Sequence, residues 1–329
     1  MSAPTISLVL GSGGARGYAH IGAIEELRAQ GYDIKSIAGA SMGALVGGVY
    51  AAGKLDVYRD WVMALQRMDV VRLLDWTFRG GLIKGDRIVG KLKDMIGEVN
   101  IEDLPISYTA VAVDLMAQRE VWFSRGALFD AIRASIAIPT VLRPHRYQGR
   151  LLVDGGLLNP VPITPTLRDL TDCTIAIDVN AQAEPLNGDG ELAPDMLTED
   201  HADTEALPAA PDGATPMLVE GGTEGEAGTD ATQAPGYRQR IAEFIDSFKR
   251  DKKVVQAEPG ILELFARSLD VVQETVTRFK LAAQPPDLVV RIPRNACAFY
   301  EFHRAEEVIE LGRVRTREAL RNFRLPTKS

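Results

Sequence analysis

Two short apolar runs near the start of the chain each end in a glycine-rich turn that leads into a helical pattern. Residues 6–10 form a largely apolar run and are followed by the tetrapeptide G-S-G-G at 11–14, after which apolar residues recur at helical spacing over 17–30. Residues 36–40 form a second run, followed by a small-residue helical segment over 42–52. Strands that alternate with helices predict a largely parallel sheet, because parallel neighbours need a crossover connection.

Later segments continue this alternation and define the predicted fold class. We predict an α/β protein, a three-layer α/β/α arrangement with a largely parallel central sheet. The uncharged stretch 36–53 is long enough to span a bilayer, but its five glycines favour a buried strand, turn and helix. Further strands are predicted at 108–114, 120–124, 151–153, 174–178 and 287–292.

The second glycine-rich turn carries a candidate nucleophile. Residues 39–43 form a G-x-S-x-G pentapeptide centred on Ser41, between an apolar strand and a small-residue helix. A sharp turn in this context lifts a serine hydroxyl above the sheet, and the helix points its positive N-terminus at the reacting centre. A plain serine-containing turn gives the same pentapeptide by chance, so the pattern alone leaves both interpretations open.

The first glycine-rich turn is a candidate anion site. Backbone N–H groups exposed where a helix begins bind anions, and in an acyl hydrolase the anion is the tetrahedral oxyanion. A dinucleotide site is the alternative. The G-x-G-x-x-G pattern fails here because Arg16 occupies its sixth position, and Asp33 follows only 17 residues later.

A third motif, D-G-G at 154–156, follows the apolar run 151–153 and offers a carboxylate at a strand end. An ordinary turn explains this motif equally well when it stands alone. In a serine–acid–histidine hydrolase the histidine follows the acid, and only His201 and His303 do so. His201 lies in an acidic segment and His303 at the predicted start of a late helix. His20 is predicted to be a packing residue and His145 to lie in a basic loop, so no histidine is a good candidate base.

The order and spacing of these three motifs resemble the patatin-like phospholipase family, in particular its short bacterial members. The resemblance extends from residue 6 to about residue 179 and resumes weakly at 286–290. It includes R-A-S-I-A-I-P at 133–139 and G-G-L-L-N-P-V-P at 155–162, both typical of the family. One departure is that plant-type loops open D-G-G-G, whereas Gly11 and Ser12 occupy the first two positions here.

The resemblance implies a serine lipid acyl hydrolase that works with a Ser–Asp dyad and no histidine. Its nucleophile would be Ser41 and its proton acceptor Asp154. The backbone N–H groups of Gly13 and Gly14 would form the oxyanion hole, and Arg16 matches the basic position of the loop. This chemistry requires no metal and no cofactor, and we predict neither. A non-catalytic lipid-binding or regulatory protein on the same fold is the alternative.

Composition divides the chain into three predicted parts. Residues 1–180 are the predicted catalytic core, and 236–329 a helical extension with a returning strand packed on that core. Between them, residues 181–235 contain 13 acidic residues and no lysine or arginine, which predicts a disordered insertion. The whole chain has a formal net charge of −8. Without the insertion the remainder has 37 basic and 32 acidic residues, a net of +5.

Charge and targeting patterns restrict the expected partners. A mildly basic body and a basic amphipathic segment at 237–253 are compatible with peripheral contact to an anionic membrane surface. No nucleic-acid motif accompanies the charge, so the expected partner is a lipid or acyl ester, and the oligomeric state stays open. No secretory signal is visible and the two cysteines, Cys173 and Cys297, predict buried thiols in a reducing compartment. We therefore expect a cytoplasmic protein.

Overall fold

The computed structural model describes residues 3–66, 69, 86–139, 141–185 and 261–326. The acidic insertion from residue 186 onward and the amphipathic segment 237–253 lie outside these residues. The strands are β1 (Thr5–Leu10), β2 (Asp33–Ala40), β3 (Ser107–Asp114), β4 (Arg119–Phe123), β5 (His145–Tyr147), β6 (Arg150–Asp154), β7 (Cys173–Ala181) and β8 (Leu288–Pro293). The helices are α1 (Ala19–Ala29), α2 (Met42–Ala51), α3 (Leu55–Met63), α4 (Asp86–Ile96), α5 (Leu128–Ser135), α6 (Ile261–Ala283) and α7 (Ala305–Arg321).

The sheet is mostly parallel, which confirms the predicted fold class. β3, β2, β1, β7 and β8 are parallel neighbours in that order, and β4, β5 and β6 add antiparallel pairs beside β3. Helices flank this sheet and bury their apolar faces in one large core and one smaller cluster, the latter formed by Val9, Val161, Ile163 and Ala176 with Leu281 of α6 packed against it. Strands covered by helices are largely apolar on both faces rather than alternating, as Leu8, Val9 and Leu10 of β1 show.

Two strands of opposite direction share one edge of β3. β2 pairs with residues 107–111 of β3, and β6 pairs with residues 112–114. β4 pairs with residues 110–114, so it overlaps both of them and must occupy the other edge. β2 and β6 therefore run toward each other along one edge, and their carboxyl ends meet where Val111 and Ala112 adjoin.

The C-terminal helix α7 packs on α1 through buried carboxylates as well as apolar contacts. Glu26 is buried and accepts hydrogen bonds from Arg317 at 2.7 and 3.0 Å. These hydrogen bonds lower the pKa of Glu26 below its ordinary value, although burial opposes them. The ion pairs fix the last helix against the first one, so the end of the chain belongs to the same core as its beginning.

Several local predictions differ from the structure in instructive ways. His145 does not lie in a loop, because residues 145–147 form β5 and pair with β6 across a two-residue turn. The helix predicted from residue 17 begins with a 3₁₀ turn over Gly14–Tyr18.

The stretch 36–53 forms a strand, a turn and a helix, as predicted. Cys173 and Cys297 are buried free thiols. Among the described helices, none has the length and apolarity needed to cross a bilayer.

Candidate active site

Ser41 lies on a strained turn between β2 and α2. Its backbone has φ 54° and ψ −124°, a conformation that L-residues rarely adopt and that persists only when surrounding contacts enforce it. The turn is tight because α2 lies directly against β1. A Cβ atom on Gly43 would lie 2.1 Å from the Leu10 carbonyl oxygen, so only glycine fits there. Ser41 itself is only 3% exposed.

Asp154 is the last residue of β6 and lies at the junction with β2. Its neighbour Ala112 follows Val111, the β3 partner of Ala40, so Asp154 and Ser41 meet across the gap between the two strand ends. The Gly156 N–H donates to Asp154 Oδ1 at 2.7 Å. Asp154 Oδ2 is buried and has no hydrogen-bond partner among the described residues.

Burial raises the pKa of Asp154 to about 7. The Ser41 hydroxyl and the Gly156 N–H act in the opposite direction, because both stabilise the carboxylate. The Ser41 contact is looser than a formed hydrogen bond, since Oδ2 has no partner within bonding geometry. Catalytic hydrogen bonds are commonly long before substrate binds. Asp154 is thus a carboxyl group whose ionisation falls near neutral pH and which faces a serine hydroxyl.

The loop after β1 presents two backbone donors that have no partner in the described part of the chain. Its outer residues are fixed: the Gly11 N–H donates to Ile177 O at 3.0 Å, the Ser12 N–H to Pro160 O at 2.8 Å, and the Ala15 N–H to Phe299 O at 2.8 Å. No such bond holds the N–H groups of Gly13 and Gly14. Gly14 has φ +56°, which favours glycine.

Arg16 is a buried residue that hydrogen-bonds to this loop. Its Nε donates to the Gly13 carbonyl at 3.2 Å, and its Nη1 donates to Arg294 O at 3.0 Å. Its Nη2 forms an ion pair with Asp270 at 2.7 Å. The guanidinium therefore connects the glycine-rich loop to α6 and to the end of β8. None of these three contacts is with Ser41 or Asp154.

α6 supplies site residues that the sequence analysis missed. The Ser12 hydroxyl donates to Gln273 Oε1 at 3.2 Å, and Asn180 Nδ2 donates to Ser12 O at 2.7 Å. Gly156 also lies against Gln273, because a Cβ on this glycine would be 2.6 Å from the Gln273 amide nitrogen. Gln273 thus contacts the first loop and the D-G-G turn. Its only sequence signal is a polar face, at Asp270, Gln273 and Thr277, opposite the exposed apolar residues of the same helix.

Two histidines in the described residues, His20 and His145, have partners other than the serine. His20 is fully buried, and its Nε2 hydrogen-bonds to the Gly11 carbonyl at 2.8 Å. Burial lowers the pKa of His20 to about 4, so it is neutral at pH 7. His145 lies 3.6 Å from Asp130 on the far side of β6. His303 precedes α7, and His201 lies outside the described residues. Within those residues no group of three or more acidic, histidine or cysteine side chains is arranged to hold a metal.

The fold and the site define an α/β protein of the class that carries a serine on a strand-to-helix turn beside a glycine-rich loop. The family model described as Patatin-like phospholipase matches residues 8–167. An uncharacterized NTE family protein of Mycobacterium bovis is 42% identical over 98% of this chain and 93% of its own length, and one of Mycobacterium tuberculosis matches equally well. The chain belongs to the patatin-like phospholipase family and, within it, to the NTE family proteins.

More distant similarities cover only part of the chain. Neuropathy target esterase sws of Drosophila melanogaster is 31% identical over 54% of this chain and 13% of its own length. The solved structure of VipD from Legionella pneumophila matches with a TM-score of 0.44 and 15% identity, over 56% of this chain and 51% of that one. Membership of the family supports lipid hydrolysis as the class of activity.

Proposed function

We propose that this chain is a serine lipid acyl hydrolase in which Ser41 is the nucleophile and Asp154 the general base. The observation that carries this proposal is that β2 and β6 meet end to end along β3, which brings together a strained serine and a buried carboxylate with no cation partner among the described residues. The N–H groups of Gly13 and Gly14 lie next to this serine and carboxylate, where the first helix begins, and serve as oxyanion donors. No histidine contributes to the reaction.

The proposed reaction proceeds through an acyl-enzyme. The Ser41 proton passes to Asp154 Oδ2 while Ser41 Oγ bonds to the ester carbonyl carbon, and the carbonyl electrons move onto its oxygen. Collapse of this intermediate breaks the bond to the alcohol, which takes the proton from Asp154 and leaves. Water then attacks the acyl-enzyme, gives a proton to Asp154, and releases the carboxylic acid. Ser41 recovers its proton in that last step.

The main energetic difficulty of a Ser–Asp dyad is the low basicity of an ordinary aspartate, and the burial of Asp154 offsets it. An ordinary aspartate, with a pKa of about 3.9, is a weaker base than histidine at about 6.5, a difference of roughly 3.5 kcal/mol. In this site the pKa of Asp154 is about 7, close to that of an ordinary histidine. The environment therefore gives the carboxylate the basicity that general-base catalysis near neutral pH requires.

The surroundings of the site support a lipid substrate delivered from an interface. Trp122, Leu158 and Phe279 are large apolar side chains exposed at 45%, 39% and 68%. Glu120 accepts hydrogen bonds from the indole of Trp122, from Asn159 and from Lys280 at 2.8–2.9 Å, and Leu158 and Phe279 are the chain neighbours of the last two residues. Residues 158 and 159 follow the D-G-G turn directly. These apolar side chains are our candidates for peripheral membrane contact.

A fluorophosphonate probe tests the function, because it phosphonylates only an activated serine. We expect stoichiometric labelling at Ser41, found by peptide mass spectrometry, and none in Ser41→Ala. The labelling rate should rise with pH to half its maximum near pH 7, as Asp154 ionises. Phospholipid, lysophospholipid and neutral glyceride esters are then compared, each as monomers and as vesicles. Labelling at another residue, or a folded protein that takes no label, would reject the proposed site.

A further inference from the structure

The segment that follows α5 contacts both sides of the proposed dyad. Ser135 is the last residue of α5 and is fully buried. Its Oγ accepts a hydrogen bond from the Ser41 N–H at 2.9 Å and donates one to the Val111 carbonyl at 2.6 Å. Two residues later, the Ala137 carbonyl accepts a hydrogen bond from the Asp154 N–H at 3.0 Å. One short stretch of chain thus binds the backbone of Ser41 and that of Asp154.

The junction between β2 and β6 explains why such a stretch is needed. Hydrogen bonds of the sheet fix each strand to β3, but Ser41 lies beyond its last pair, Ala40 with Val111. Two strand ends that meet head-on have no ladder between them, so the sheet alone does not set the distance from Ser41 to Asp154. Ser135 bonds to both Ser41 and Val111 and therefore spans this gap from the side.

The backbone strain at Ser41 gives the contact a second role. A residue with φ 54° relaxes toward an ordinary conformation unless its neighbours hold it. The Ser41 N–H is buried, and Ser135 Oγ is its acceptor. Removing that acceptor leaves a buried donor unpaired, which favours a shift of the turn toward another partner. Such a shift moves the Ser41 hydroxyl relative to Asp154.

We propose that Ser135 is a positioning residue that sets the spacing between Ser41 and Asp154, through its hydroxyl and through the Ala137 carbonyl on the same segment. This inference rests on the proposed function, and it gives the motif at 133–139 the role of holding Ser41 and Asp154 at a fixed spacing. Ser135 does not touch substrate. It acts on the rate of serine attack and not on the binding of lipid, because its two bonds go to the backbone of Ser41 and to β3.

Ser135→Ala tests this assignment by removing the hydroxyl at nearly unchanged volume. We expect the fluorophosphonate labelling rate and kcat to fall at least about tenfold, toward the roughly 100-fold that a misplacement of about 1 Å costs. KM for a monomeric ester should change less than about twofold. Ser135→Thr, which keeps the hydroxyl, should recover more activity than Ser135→Ala. If Ser135→Ala does not fold, Ser135→Cys makes the same test, since a thiol is a weak acceptor.

Ser7→Ala is the matched control, because Ser7 is another fully buried serine with two hydrogen bonds. Its hydroxyl binds Asp169 at 3.0 Å and Thr171 at 2.8 Å, at the opposite end of β1 from the site. This variant should lose stability but keep the wild-type labelling rate. Equal labelling rates in wild type, Ser135→Ala and Ser135→Cys would overturn the positioning role while leaving Ser41 as nucleophile. Absence of labelling in the wild type would instead overturn the proposed function.

Discussion

Asp154 and Asp270 lie beside the same glycine-rich loops but are held in opposite ways. Asp270, on α6, forms an ion pair with buried Arg16 at 2.7 Å and is 30% exposed. Asp154, the proposed partner of Ser41, is only 2% exposed and has no cation within ion-pair distance among the described residues. A buried carboxylate without a cation costs the fold free energy, whereas a paired one does not to the same degree.

This difference distinguishes the carboxylate proposed to take part in the reaction from the carboxylates that stabilise the structure around it. Three carboxylates on α6 and β4 form ion pairs with cations: Asp270 with Arg16, Glu274 with Arg294, and Glu120 with Lys280 at 2.9 Å. The first of these pairs ties α6 to the glycine-rich loop after β1, the second ties α6 to the end of β8, and the third ties α6 to β4. The proposed dyad site instead leaves Asp154 without a cation partner among the described residues and with a pKa near 7, as expected of a group that must accept a proton.

The largest expected effect comes from Asp154→Asn, which should change activity and stability in opposite directions. We expect kcat to fall on the order of 10,000-fold, the upper range for loss of a general base. The fold should nevertheless gain stability at alkaline pH. Ester hydrolysis and urea denaturation of the same preparation measure the two effects.

The pH dependence of that gain follows from the direction of the pKa shift. The pKa of Asp154 is raised on folding, from about 3.9 in an unfolded chain to about 7. Its contribution to stability is therefore complete below about pH 4 and is lost as pH rises through 7. Asn does not titrate, so Asp154→Asn should match wild type near pH 4 and exceed it by up to roughly 4 kcal/mol at pH 8. A variant less stable than wild type at pH 8 would show that the fold compensates the charge.

A smaller effect is expected when the oxyanion loop is displaced. A Cβ at Gly14 would lie 2.5 Å from the Phe299 carbonyl oxygen, so Gly14→Ala must shift the loop against the end of the chain. We expect kcat to fall about 100-fold, the scale of one lost oxyanion donor, with KM little changed. Gly53→Ala is the control, because Gly53 has φ +68° and no atom within 4 Å of the added carbon. Equal kcat in the two variants would exclude Gly14 from catalysis.

Local patterns predicted most of the fold because they reflect local physics. The strands at 6–10, 36–40 and 108–114 were identifiable from largely apolar runs, which are typical of a covered parallel sheet. The G-x-S-x-G turn was identifiable because its glycine positions are dictated by contacts within a few residues and with β1, such as that between Gly43 and Leu10.

The rest of the site depends on contacts between distant parts of the chain. The Arg16–Asp270 and Ser12–Gln273 bonds join residues more than 250 positions apart, and a lone aspartate or glutamine on a helix has no pattern that announces such a bond. β5 was mistaken for a basic loop because its three residues, His145, Arg146 and Tyr147, gain strand structure only by pairing with β6. The meeting of β2 and β6 is likewise a property of the sheet and not of either strand.

The smallest effect is expected from Asp270→Asn, which unpairs Arg16 without touching the dyad. The buried guanidinium keeps its bonds to the carbonyls of Gly13 and Arg294, so Arg16 loses one of its three contacts. Because Asp270 is partly exposed, the cost in unfolding free energy should be about 1 kcal/mol, below that of a fully buried pair. We expect kcat to fall about threefold, since a looser loop spends less time with both glycine N–H groups aimed at the oxyanion. Asp56→Asn removes an exposed carboxylate that pairs with Arg59 at 3.1 Å and should change neither quantity. A loss of activity in Asp270→Asn as large as in Asp154→Asn would show that α6 takes part in the chemistry and does not only support it.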